Sequence, residues 1–213
     1  VAVGYQALST EDTQGLNTAV GTYALLNLNA GANAYNTAVG YNSGQAMTTG
    51  VQNTIIGGMA GDALTTGGEN TAIGYEALSG EDTGSRNTAL GWRALKSLNY
   101  DGLGNNIGIG YEAGATISTG RYNIIVGNLA GDNLTTGSNN VAIGHEALST
   151  EDAHGYNVAV GYRALKTLDA GANAYNIAIG YDAGVAMSTG AENVLIGGNV
   201  GLAITTGIRN TAI

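Results

Sequence analysis

The sequence is dominated by one short motif that returns at nearly constant spacing along the whole chain. The motif is Asn, then Thr, Val or Ile, then usually Ala, then an aliphatic residue, then Gly, as in NTAVG at 17–21. From Asn17 onwards, successive motifs are separated by spacings of 19, 17, 17 and 17, and this set of four spacings begins again at Asn87 and at Asn157. Such strict repetition is typical of solenoids, in which each repeat packs mainly against its neighbours.

The repeat divides the chain into three blocks of four units each. The blocks are residues 1–70, 71–140 and 141–210, and a partial repeat follows at 211–213. We expect the whole of 1–213 to form a single β-solenoid domain. Because the chain opens and closes inside a repeat, we also expect it to be a segment of a longer protein.

Each unit predicts one coil of an all-β, parallel β-solenoid (a β-roll) with 17- or 19-residue coils. The residues after Asn are β-branched and alternate in character, which favours a strand. We expect the fourth motif residue, such as Val20 or Ile109, to build an interior aliphatic column, with Ala and Gly on the opposite face. A second short strand is predicted at dipeptides such as Ala24-Leu25, and turn glycines such as Gly67 are expected to have positive φ.

The Asn before each strand predicts a structural ladder, in which the side-chain amide bonds to the next coil at strand spacing. Asn also tolerates left-handed backbone geometry at a corner. The predicted ladder consists of Asn17, Asn36, Asn53, Asn70, Asn87, Asn106, Asn123, Asn140, Asn157, Asn176, Asn193 and Asn210.

Composition excludes several classes of protein. The chain has 44% hydrophobic and only 11% charged residues, which argues against disorder. The net charge of −9 disfavours a nucleic-acid partner, and the lack of Cys excludes a disulfide framework. No apolar run is long enough to cross a bilayer, so we expect no membrane insertion. We predict neither a cofactor nor a metal.

A coil of this short length with one strong apolar strand encloses little core, so a single chain would be marginally stable. The small residues of the Ala/Gly face offer a surface on which identical chains could pack. Closed three-fold association is the natural solution for a fibre, and the sequence therefore predicts a homotrimer.

The Asn-x-Ala-Val/Ile-Gly core resembles the head repeats of YadA-type trimeric autotransporter adhesins. The longer string NTAIGYEAL at 70–78 is similar to repeats of phage and other tail fibres. The resemblance covers essentially the whole chain and implies a left-handed, trimeric β-roll. Adhesin-head repeats are typically shorter than the units of this chain, so larger loops or a modified roll are expected here.

An aromatic column follows the strand glycine in many units. If these rings face solvent, they could stack on sugars of a cell-surface glycan or contact a protein receptor, and otherwise they form a ladder that stiffens one edge. The column consists of Tyr5, Tyr41, Tyr75, Trp92, Tyr111, Tyr162 and Tyr181, with His145 at the same position of its unit.

Other candidate sites are weaker. One acidic pair per block (Glu11-Asp12, Glu81-Asp82 and Glu151-Asp152) could bind Ca²⁺, but a solvated loop is the preferred interpretation. The only two histidines, His145 and His154, lack counterparts in the other blocks, so we predict no catalytic residues and no enzymatic activity.

The sequence therefore favours a structural or adhesive segment of a trimeric extracellular fibre, either a virion tail fibre or a bacterial surface adhesin. The alternative is a subunit of a self-assembling extracellular filament. An ice-binding β-solenoid is a further alternative, suggested by Thr pairs such as Thr65-Thr66, although acidic residues and the longer units interrupt any flat array of hydroxyls.

Overall fold

A computed structural model describes residues 1–12, 15–31 and 33–213 of the chain. Within these ranges the regular secondary structure consists of β-strands. The chain divides into two compact units, Val1–Asn105 and Asn106–Ile213. The single domain with three blocks stays a prediction.

The first unit is a stack of short parallel strands. Each strand pairs in register with the next one along the chain, so that Ala19 lies beside Ala38 and Thr54 beside Thr71. The strands are β1 (Ala2–Val3), β2 (Thr18–Val20), β3 (Thr37–Val39), β4 (Thr54–Ile56), β5 (Thr71–Ile73) and β6 (Thr88–Leu90).

The second unit repeats this arrangement, for example with Ala159 beside Ala178. Its strands are β7 (Ile107–Ile109), β8 (Ile124–Val126), β9 (Val141–Ile143), β10 (Val158–Val160), β11 (Ile177–Ile179), β12 (Val194–Ile196) and β13 (Thr211–Ala212). The predicted all-β, parallel β-solenoid with 17- and 19-residue coils is therefore confirmed. Its handedness and trimeric association stay predictions.

The two faces of the strands are the reverse of what we predicted. The middle residue points into the coil, and Ala19 and Ala89 are fully buried there. The fourth motif residue points outward, where Ile56 is 36% and Leu90 42% exposed. The coil is so narrow at the strand that its centre usually takes only Ala. The predicted interior aliphatic column was therefore wrong, and the Ala face is not available to another chain.

The core is completed by residues of the turns that follow each strand. Columns of small and aliphatic side chains lie three and seven residues after the strand glycine, and Ala24, Leu28 and Leu64 are fully buried examples. The predicted second strand was wrong, because the described residues there form successive turns. Backbone hydrogen bonds between coils nevertheless continue, since the N–H of Leu25 donates to the Ser43 carbonyl at 3.0 Å.

Large side chains of the core lie against glycines, either in the next coil or in their own coil. Leu25 leans over Gly44 of the next coil, and a Cβ on Gly44 would lie 2.9 Å from Cδ2 of that leucine. Ile55, at the centre of β4, instead meets Gly61 of its own coil, where a Cβ would lie 3.2 Å from Cδ1 of Ile55. Interiors pack at crystal-like density, so each large side chain needs a matching small one.

Positive φ is found at some of the predicted turn glycines, such as Gly61 at +49°, and also at many positions that we did not predict. The strand glycines, such as Gly127 at +135°, adopt it, and so do many non-glycine residues, such as Glu76 and Leu78. The glycines that end the Thr-rich turns do not have positive φ, so the expectation was wrong for Gly67. Close approach of the next coil explains these glycines, since a Cβ on Gly50 would lie 2.6 Å from the carbonyl oxygen of Gly67.

Gly127→Ala should destabilise the second unit. Position 127 combines a φ of +135° with a prospective Cβ only 2.5 Å from the carbonyl oxygen of Gly144. Strain and overpacking together should lower the free energy of unfolding by about 2–4 kcal/mol. Gly198→Ala is the control, because a Cβ there meets no atom within 4 Å. Urea unfolding at fixed chain concentration measures both, and equal effects would contradict this packing.

Candidate functional site

The Asn residues before the strands are linked from coil to coil. The side-chain Oδ1 of one Asn accepts a hydrogen bond from the backbone N–H of the Asn in the next coil. In the first unit, the N–H of Asn36 donates to Asn17 at 2.8 Å and that of Asn53 to Asn36 at 2.9 Å. In the second unit, the N–H of Asn140 donates to Asn123 at 2.9 Å.

The other end of the amide closes the coil to which it belongs. The Nδ2 of Asn53 donates to the carbonyl of Gly67 at 2.9 Å, and the Nδ2 of Asn123 donates to that of Gly137 at 2.9 Å. These amides are buried. One side chain therefore satisfies groups in two coils that would otherwise be unpaired in the interior, which is a structural role.

The hydroxyl groups of the Thr-rich turns form hydrogen bonds between neighbouring coils. The Oγ1 of Thr65 donates to the carbonyl of Asp82 at 2.9 Å, and that of Thr135 donates to the carbonyl of Asp152 at 2.7 Å. Hydroxyls held in this way serve the coil stack. This geometry supports a structural role for these turns over a surface of hydroxyls presented to ice.

The aromatic column lies on the surface. Its six tyrosines are exposed, from 40% for Tyr162 to 63% for Tyr5, and the other four are Tyr41, Tyr75, Tyr111 and Tyr181. Trp92 is partly buried, and the guanidinium of Arg93 lies 4.0 Å from the centre of its ring.

Several rings of this column contact one another. Tyr162 is stacked between His145 and Tyr181, with ring centroids 5.4 and 5.1 Å apart and interplanar angles of 14° and 8°. Both faces of Tyr162 are therefore covered, and it presents an edge to solvent. Tyr5 meets Tyr23 edge to face at 5.5 Å. These contacts between neighbouring coils give the column a structural role, as a ladder of aromatic rings, whether or not it also contacts a receptor.

Ion pairs join the surfaces of neighbouring coils. The Oε2 of Glu76 forms ion pairs with the Nε of Arg93 and the Nζ of Lys96, each at 2.7 Å. The hydrogen bond from Lys96 is the main reason why the pKa of Glu76 falls to about 2. A carboxylate with a lowered pKa stabilises the folded state above its ordinary pKa of 4.5, and this contribution is lost as the pH falls towards 2.

Two of the three acidic pairs are not simply solvated loops, which corrects our expectation for them, whereas Glu11 is half-buried and Asp12 is exposed. Glu81 and Glu151 are fully buried. Both lie seven residues after a strand glycine, in the column that Leu28, Met47 and Leu64 occupy in other coils. Reading down that column in the sequence would have predicted the burial of both carboxyls.

Backbone donors satisfy the Glu81 carboxylate. The N–H of Gly84 donates to Oε1 at 2.7 Å, and the N–H of Tyr100, in the next coil, donates to Oε2 at 3.3 Å. Burial nevertheless raises the pKa of Glu81 above its ordinary value, with the two hydrogen bonds opposing the rise. Tyr100 belongs to one of the longer coils, so the longer coil supplies one donor to the buried carboxylate before it.

The corresponding Glu151 has a different environment. The backbone N–H of His154 donates to its Oε1 at 3.2 Å, and the Nδ1 of the same histidine is also 3.2 Å away. Burial raises the pKa of Glu151, and the nearby backbone N–H of Ala170 and the His154 side chain oppose the rise. Together with Asp152 and Asp169, these residues could hold a metal ion, because one ligand atom from each lies within 4.8 Å of the others.

No protein-family model, no curated protein and no solved structure matches this chain. The resemblance to adhesin-head and tail-fibre repeats therefore stays a prediction. In the part of the chain that the structure describes, no helix is long and apolar enough to span a membrane.

Glu81→Gln should become more stable relative to the wild type as the pH rises from about 4 to about 7. With a raised pKa, the folded state binds more protons than the unfolded state in this range, so wild-type stability falls with rising pH. The amide cannot ionise and removes that contribution. At about pH 4 the two proteins should differ by no more than about 1 kcal/mol, since one hydrogen bond to the Tyr100 N–H is lost.

Urea unfolding at both pH values measures this difference. Glu69→Gln is the control for loss of one surface charge, because the side chain of Glu69 is 49% exposed and pairs with Arg86 at the surface. A difference between Glu81→Gln and the wild type that is the same at both pH values would contradict the buried, raised-pKa carboxylate.

Proposed function

We propose that this chain is a structural segment of a trimeric extracellular fibre, either a virion tail fibre or a bacterial surface adhesin, that displays or forms a receptor-binding surface. The observation that carries this proposal is an outward-facing row of apolar residues, which we call the aliphatic stripe. The stripe consists of Val20, Val39, Ile56, Ile73 and Leu90 in the first unit and Ile109, Val126, Ile143, Val160, Ile179 and Ile196 in the second.

The aliphatic stripe is an exposed apolar surface that a binding partner would bury. The strands are in register, so one half-exposed aliphatic residue follows another at each coil, and the second motif residues, such as Ile124 and Ile177, widen the same face. Contiguous apolar patches of this kind usually mark interaction surfaces. Identical chains are the best occupant, because a stripe that repeats at every coil matches the same stripe of another copy in the same register.

Closed three-fold packing would bury the stripe of every copy around one axis and leave no copy different from the others. The homotrimer that we predicted from the Ala/Gly face is thus proposed through a different surface. The aromatic column begins two residues after the stripe residue of its coil and is exposed. In this arrangement it is the candidate surface for a cell-surface glycan or protein receptor.

Light scattering after size exclusion tests the association. We expect a mass three times the 21.3 kDa of one chain. Ile179→Asp, at a stripe position that is 39% exposed, should reduce the mass to that of one chain, because a trimer interface would bury this carboxylate without a partner. Circular dichroism should remain that of a folded β protein, since the side chain does not enter the coil.

Tyr122→Asn is the matched control. Tyr122 is 48% exposed but lies outside the stripe, and Asn occupies the equivalent place before the motif at position 139. This variant should keep the wild-type mass. A monomeric wild type would overturn the trimer, and an open-ended series of large species would favour the filament.

A further inference from the structure

Four side chains capable of metal ligation converge on the last block of the repeat. Glu151, Asp152 and His154 come from one turn, and Asp169 comes from the following coil. One ligand atom from each lies within 4.8 Å of all the others. The Nδ1 of His154 is 3.2 Å from the Oε1 of Glu151. We call these four residues the His154 cluster.

The buried carboxylate of the cluster has coordination capacity left over. Glu151 is fully buried, and its Oε2 has no hydrogen-bond partner among the residues that the structure describes. The backbone N–H of Ala170 is close enough to influence this carboxylate but is not a hydrogen-bond partner of Oε2. In contrast, both oxygens of Glu81 accept hydrogen bonds. A buried carboxylate oxygen without a donor costs free energy, and a bound cation would remove that cost.

The excess of carboxylates in the cluster also favours the binding of a cation. Three carboxylates lie within 4.8 Å of one another with a single imidazole among them. The basic side chains on neighbouring coils are paired with other acids, since Lys166 contacts Glu146 at 2.6 Å and Arg163 contacts Asp182 at 2.8 Å.

The repeat supplies an independent comparison. All three blocks contain the Glu-Asp pair, but only the last block has His at position 154, where the earlier blocks have Gln14 and Gly84. Only the last block has Asp at position 169, where the earlier blocks have Asn29 and Asn99. Two departures from the repeat therefore each add a metal-ligating group, and the fold brings the two groups together.

The backbone holds the cluster in place. The carbonyl of His154 accepts a hydrogen bond from the Nδ2 of Asn140 at 2.9 Å, which ties the histidine to the Asn ladder. The N–H of Asp169 donates to the carbonyl of Ser188 at 2.7 Å. Groups whose backbone is fixed in this way lose little entropy when they bind a ligand.

We propose that the His154 cluster binds one divalent transition-metal ion and that Zn²⁺ is the best match. Ca²⁺ and Mg²⁺ prefer sites made entirely of oxygen, whereas Zn²⁺ takes imidazole nitrogen together with carboxylate oxygen in four-coordinate sites. Tetrahedral ligands of Zn²⁺ lie about 3.4 Å from one another, given metal–ligand distances of about 2.1 Å. The exposed side chains of Asp152 and Asp169 can close the remaining distance by rotation.

Isothermal titration with Zn²⁺ alone tests the site, and Co²⁺ absorption reports whether nitrogen and oxygen ligands surround the ion in tetrahedral geometry. We expect one ion per chain. The double variant His154→Gln, Asp169→Asn carries the residues found at these places in the first block, so it should fold normally. It should weaken binding at least about 100-fold, because two of four ligands are removed.

His145→Tyr is the control for the other histidine, because Tyr occupies the same place in the earlier blocks at positions 5 and 75. It should bind as the wild type does. Asp169→Asn alone serves if the double variant fails to fold, since Asn is native at the equivalent positions in both earlier blocks. Unchanged affinity in these cluster variants, more than one ion per chain of equal affinity, or no binding by the wild type would overturn the proposal.

Discussion

The hydrogen bond between the Oδ1 of one Asn and the backbone N–H of the next Asn determines how each coil is placed on its neighbour. The bond from Asn36 to Asn17 spans 19 residues and that from Asn53 to Asn36 spans 17, yet their lengths are 2.8 and 2.9 Å. Within each unit, the Asn therefore resets the register at the start of the strand that it precedes. The additional residues of a longer coil are accommodated in the turns without shifting the strands.

The four-coil period has its origin in the packing inside the coils. Ala at the centre of a strand is combined with Leu four residues after the strand glycine in some coils, as with Ala89 and Leu95. Ile or Leu at the centre is combined with Gly there, as with Ile125 and Gly131. A side chain in one coil also fills space over a glycine in the next. The order of the coils within a block is therefore set by side-chain packing. A change in the side-chain size of one coil changes which side chains fit in the neighbouring coils.

The buried glutamate and the longer coil belong to the same arrangement. In the second block, the long coil places the N–H of Tyr100 on the carboxylate of Glu81 in the coil before it. A carboxylate takes the place of an aliphatic side chain only because backbone donors reach it. In the third block, the Oε2 of Glu151 has no hydrogen-bond partner among the described residues, and His154 and Asp169 lie beside this carboxylate.

Much of the fold could be predicted from the sequence, because the period and the in-register motif specify a parallel stack directly. Which face of each strand encloses the core could not be predicted. Alternation within three residues shows that Thr18 and Val20 share a face, but not which face encloses the core, and large apolar residues usually point inward. The pairing of Thr with Val on one face was a signal that this face is outside. The convergence of His154 and Asp169 depends on turn conformations that periodicity does not describe.

The coil-to-coil Asn bond is tested most directly by hydrogen exchange with mass spectrometry on Asn123→Ala, compared with Asn27→Ala at an exposed turn position. Asn123→Ala removes the acceptor of the Asn140 N–H and the donor to Gly137. We expect peptides containing Asn140 and Gly137 to lose protection, corresponding to about 2–4 kcal/mol for two buried groups left unpaired, while Asn27→Ala exchanges as the wild type does. Unchanged protection at Asn140 in Asn123→Ala would contradict the view that this bond sets the stacking of the coils.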